Sequence, residues 1–272
     1  MKKLYIFFLL CSILTACKKD VINQTVTDPK AGLQKISEVY ALGISTKVEL
    51  WAEKDLTTGH NQLFVTLYDS VSNQPITKAL VKILPVMDME MNGMYMSHST
   101  PCLQPESSEV ENTLFPFAVV FTMPGNTDQS KWSFDVTIKR DGQNKIGTAK
   151  LAVAVGASSP ERVKMLTTTQ GEKLVVSYYF PNPPKIGIND LEVIIYRQQD
   201  KMSFLSVDNF LLVMRPEMPA MGHGSPNNIN PVHTKNGYYK GKVNFTMTGD
   251  WRINLDLVNA EQKNTIFFDL SF

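Results

Sequence analysis

The chain of 272 residues has three cysteines, and only Cys102 lies away from the N-terminal segment. One thiol makes no intramolecular disulfide, so packed cores have to hold the fold together. An excess of charge of one sign is missing too, since 27 basic residues face 26 acidic ones. That balance offers no basic field to nucleic acid. Catalytic signatures are absent: there is no G-x-S-x-G, no H-E-x-x-H and no phosphate-cradling glycine loop. The four histidines, His60, His98, His223 and His233, have no acid–base set beside them in sequence. These absences point away from an enzyme. After the first residues, no apolar run is long enough for a membrane helix, and no segment shows a long, capped helical period.

What is present begins at the N-terminus. Lys2 and Lys3 precede an apolar run from Leu4 to Leu14, which reads as the hydrophobic region of a signal peptide. It ends in Leu14-Thr15-Ala16-Cys17, which resembles a bacterial lipobox. The resemblance implies that residues 1–16 are removed and that Cys17 is lipidated. The protein is then expected to be lipid-anchored in the bacterial cell envelope, facing the periplasm or at the cell surface. Several acyl chains make such anchoring stable. Cleavage takes away Lys2 and Lys3 and moves the formal net charge from +1 to −1. Residues 17–32 read as the lipidated N-terminus and a polar linker.

Beyond the linker, short alternating runs separated by turn residues predict an all-β chain. The expected architecture is two tandem immunoglobulin-like β-sandwich domains, over residues 33–156 and 160–272, with Gly156–Pro160 as the boundary. Gly59-His60-Asn61 reads as a turn with an exposed histidine. The two halves look like copies. His98-Ser99-Thr100-Pro101 is followed by Phe121-Thr122-Met123-Pro124-Gly125 and Trp132. His223-Gly224-Ser225-Pro226 is followed, at nearly the same spacing, by Phe245-Thr246-Met247-Thr248-Gly249 and Trp251. Two ordered motifs at near-equal separation indicate a duplication.

The stretch from Pro85 to Pro101 is the most unusual. Asn92-Gly93 reads as a two-residue type I′ turn. Folding about it sets Met91 opposite Met94, Met89 opposite Met96 and Met87 opposite His98. All six then share one face, since strand side chains alternate. Thioethers are soft donors that favour Cu(I), and imidazole accepts either copper state. Met87, Met89, Met91, Met94, Met96 and His98 form one candidate metal site. Met218, Met221, His223 and Met247 form a second, on a Pro- and Gly-rich segment that reads as an irregular connection, with His233 within possible reach. Cys102 is either a thiolate ligand or a small buried hydrophobe.

Met218-Pro219-Ala220-Met221-Gly222-His223-Gly224, with Gly237-Tyr238-Tyr239 and the Phe245–Trp251 run, resembles the YtkA-like/FixH-like family. The resemblance implies small exported β-sandwich modules associated with copper handling or oxidase maturation. The expectation is an exported Cu(I)-binding accessory with an envelope protein partner and no nucleic acid. The rival is a non-metal interaction or docking module of an envelope complex, whose methionine faces are packing surfaces. Replacing Cys17 with Ala is expected to stall the precursor or release the protein from the membrane fraction. Unchanged fractionation and migration of Cys17→Ala would rule out the lipid anchor.

Overall fold

The computed structural model describes residues 28–127, 130–260 and 263–272. The expected signal peptide, the expected lipidation site Cys17 and most of the expected linker lie outside them. Among the described residues there are strands and turns and no helix.

The first domain packs two sheets. One has the order Gln34–Tyr40, Thr46–Ala52, Gly59–Asp69, Phe115–Phe121, Cys102–Leu103. The other runs Ile146–Val153, Ser130–Arg140, Ala79–Met91, Met94–His98. The second domain repeats both orders. Its sheets run Val163–Thr167, Lys173–Tyr179, Gly187–Gln198, Tyr238–Phe245, Ile229–Lys235, and Lys263–Ser271, Asp250–Val258, Leu211–Met218, His223–Gly224. The duplication expected from the motifs is thus matched strand by strand, in the same antiparallel sense.

Alternation builds each core. Ile146–Val153 alternates exposed and buried along its whole length, with Ala149, Leu151 and Val153 facing inward. Trp132, Phe134, Phe121 and Leu63 fill the first core, and Trp251, Phe245, Phe268 and Tyr239 the second. Where the linker ends, Lys30 is fixed on the outer face of the first sheet. Its ammonium lies 4.4 Å from the Trp51 ring centroid and 3.2 Å from a Glu49 oxygen. Hydrogen bonds from Lys47 and Lys30 outweigh burial and hold the Glu49 carboxyl down at about 2.

A third apolar cluster joins the domains. Val163, Val175, Ile194, Tyr196 and Tyr238 of the second domain pack with Val120 and Leu103 of the first. Strands buried on both faces lose their alternation, which explains the unbroken Leu174-Val175-Val176 and Val193-Ile194-Ile195 runs. His60 belongs here, not on an exposed turn as its Gly-His-Asn setting suggests. It is buried, stacked on Tyr179 at 3.9 Å between ring centroids, and 3.2 Å from the Tyr238 hydroxyl. Gly59 opens a strand instead of making a turn, and Asn61 ties that opening down by bonding Thr57 and Gly59. Asn189 makes the same bonds to Lys185 and Gly187 in the second domain.

Burial, then the charges of Arg162 and Lys54, lower the His60 pKa from 6.5 to about 3. The folded state keeps this ring neutral while the unfolded chain protonates it below pH 6.5. Its share of stability is therefore complete above pH 6.5 and lost as pH falls through about 3. His60→Phe keeps the stack and removes the titration. Urea unfolding at several pH values between these limits is expected to show a flatter pH dependence for His60→Phe. At neutral pH the lost bond to Tyr238 costs about 0.5–1.5 kcal/mol. Parallel pH profiles for the two proteins would mean that His60 is not the group responsible.

Candidate metal centre

The hairpin register is the one the alternation predicts. Met87 pairs with His98, Met89 with Met96 and Met91 with Met94. Asn92 and Gly93 turn the chain at φ of 53° and 71°, a left-handed pair that glycine and asparagine tolerate best. The opposite face is polar: Ser97 donates to Asp88 at 2.6 Å, and Lys150 reaches the same carboxylate at 3.2 Å. Burial falls steadily toward the tip. Met87 is 1% exposed, Met89 and Met96 are half-buried, and Met94 is 62% exposed.

At the buried end, three adjacent strands place His98, Met87 and Trp132 directly opposite one another. Directly opposed residues share a face, so the three form one row. The His98 ring lies edge-on to Trp132, at 5.4 Å between centroids and 89°. The Trp132 indole N–H donates to the Met123 carbonyl at 3.1 Å. Gly125 makes room for the contact, because a Cβ there would meet Trp132 Cδ1 at 2.4 Å and Met87 Cε at 3.1 Å.

The His98 ring leaves one nitrogen buried without a partner, as the His233 ring also does. The His98 Nδ1 lies 3.1 Å from the Ser99 carbonyl, which can only accept, so Nδ1 carries the proton. Nε2 is then left with a lone pair, and it is buried without a hydrogen-bond partner. Such an orphan costs about 1–3 kcal/mol unless something binds it. A ring anchored through one N–H to a backbone carbonyl, with the other nitrogen bare, is the usual arrangement of a metal-ligating histidine. The residues present therefore fit a soft metal ion.

The second domain repeats the row in shorter form. Met218 pairs with His223, and the register of Glu217 with Arg252 puts Met218 beside Trp251. His223 is edge-on to Trp251 at 6.2 Å and 88°. The Trp251 N–H donates to the Met247 carbonyl at 3.0 Å, and Met218 Cε would lie 3.0 Å from a Cβ on Gly249. The expected irregular connection is in fact a hairpin. Pro216 sits within the strand Leu211–Met218, and the turn over 219–222 leaves Met221 58% exposed. Pro216 is tolerated because its carbonyl faces the short edge strand, where Ser225 donates to it, so the missing N–H faces that edge as well. Met247 contributes its carbonyl to the row, while its side chain is 36% exposed.

Two other candidates lie elsewhere. His233 is in the opposite sheet, paired with Tyr239 and 5.2 Å from its ring, and does not join His223. Cys102 pairs with Val119 in the sheet opposite the methionine hairpin. Burial pushes its pKa up to about 12, and its strand sets it in the other sheet, apart from the row. Sequence reasoning used the two tryptophans as repeat markers and missed them as members of the row; their fixed place after each F-T-M was the available signal. Among the described residues, no three His, Cys, Asp or Glu side chains converge on a metal-sized site, which leaves thioether and imidazole as the donor set.

No curated protein matches the chain. Among solved structures, the titin Ig tandem domains A164-A165 are similar over 88% of this chain and 97% of theirs, with 11% identity and a TM-score of 0.19. Residues 179–256, within the second domain, match the YtkA-like family model.

Proposed function

We propose that the chain is a lipid-anchored accessory of the bacterial cell envelope that binds Cu(I) and holds it for, or passes it to, an envelope protein partner. One observation carries this reading: the bare, buried Nε2 of His98 on the face that carries Met87, Met89 and Met96. Two or three thioethers and one imidazole are a donor set suited to Cu(I) and poorly suited to Zn(II), which prefers thiolate, imidazole and carboxylate. The exposure of Met94 gives an ion a route from solvent, and Met89 and Met96 form the next step inward. In the second domain Met218, Met221 and His223 supply a smaller set. Trp132 and Trp251 each lie beside the imidazole, where an aromatic face or edge excludes water from a bound ion.

The rival reading also has an observation in its favour. Met87 and Met218 are packed in the cores, as a purely structural methionine would be. An interaction module would then use the exposed Met94 and Tyr95 as contacts.

Competition against a Cu(I) chelator separates the two. Changing Met89, Met94 and Met96 to Leu keeps most of the volume and removes the sulfur, so the fold survives. The mature protein is expected to hold Cu(I) against the chelator, and the triple variant to lose at least about tenfold in affinity, which is about 1.4 kcal/mol. Thioethers do not titrate, so the thioether share of the retention is expected to persist at mildly acid pH. Equal retention by both proteins would make this face packing and give first place to the interaction module.

A further inference from the structure

Beside the His60–Tyr179 stack, the two domains border a groove of about 610 Å³. That volume suits a small organic molecule. Its lining carries two cations, Arg162 and Lys54, and a single carboxylate, Glu53. Arg162 is half-buried, yet among the described residues no carboxylate pairs with it. Its Nη2 donates to Thr57 Oγ1 and to the Thr58 carbonyl, which fixes the plane of the guanidinium. The Nε and Nη1 donors have no partner among the described residues. Lys54 is exposed and likewise unpaired there. The same lining carries a flat ring and stiff apolar residues in Phe180, Pro181 and Pro183.

A guanidinium held in a plane, with donors left over and no carboxylate paired to it, is what a carboxylate or similar planar anion binds. The neighbouring imidazole does not compete for the anion, because His60 is neutral and already bonded to Tyr238. A fully hydrated inorganic ion has no use for the apolar wall, whereas a flat hydrocarbon body does. We propose that this groove binds a small organic anion with a flat apolar body, its carboxylate on Arg162 and Lys54 and its body against Phe180 and Pro183. The site is separate from the methionine rows and stands or falls independently of copper.

Calorimetric titration of the mature chain with 2-naphthoate, acetate and inorganic phosphate tests this. Saturable one-to-one binding of 2-naphthoate is expected, with acetate and phosphate weaker by at least about tenfold. Hydrogen bonds to a charged group are among the stronger contacts a small ligand makes. Arg162→Gln and Lys54→Gln are therefore each expected to weaken 2-naphthoate by about tenfold or more. Lys54→Gln breaks no bond within the described residues and keeps the fold, so it guards against misreading a disturbed junction in Arg162→Gln. No saturable binding, binding that Lys54→Gln leaves unchanged, or phosphate binding as tight as 2-naphthoate would each overturn the proposal.

Discussion

Each sandwich must satisfy one buried indole N–H, and the same solution appears twice. Trp132 donates to the Met123 carbonyl and Trp251 to the Met247 carbonyl. An unmade bond there would cost about 1–3 kcal/mol. The bond fixes the loop after the Phe121 and Phe245 strands against the indole. A glycine two residues on, Gly125 or Gly249, then lets the methionine of the facing sheet approach closely. That methionine, Met87 or Met218, pairs across the sheet with His98 or His223. The tryptophan bond therefore positions a thioether and an imidazole side by side in both domains.

Much of this was legible in the sequence. The Met87–His98 register follows from alternation about Asn92-Gly93, because a two-residue turn leaves only one pairing that keeps six donors on one face. The duplication was legible because H-x-[S/T]-P and F-T-M mark the crossover and the loop that cradle the row. Two readings failed for a shared reason. His60 looked like a turn residue because its partners, Tyr179 and Tyr238, come from the other domain, far along the chain. The segment from Met214 to Gly224 looked irregular because Pro216 reads locally as a strand breaker, whereas an edge removes the penalty. In both cases tertiary placement, invisible to a local window, overrode composition.

The domains share a plan but not an exposure. The first extends its row into a ladder that rises from Met87 in the core to Met94 at the surface. The second closes after four residues, 219–222, and offers Met221 alone at its turn. The apolar cluster of Val120, Ile194 and Tyr196, with His60 beside it, joins the two domains directly. The longer hairpin thus carries several thioethers from core to surface, and the shorter one a single exposed methionine at its turn. Ser99, next to His98, donates its N–H to the Lys201 carbonyl at 2.8 Å, so the base of the first row abuts the second domain.

Copper K-edge absorption on the Cu(I)-loaded mature protein tests the central claim most directly, because it reads the atoms bound to the ion. The account predicts a shell of sulfur with a single imidazole nitrogen, and His98→Ala is predicted to remove the imidazole contribution from the first-domain site. A shell of nitrogen and oxygen without sulfur would contradict it.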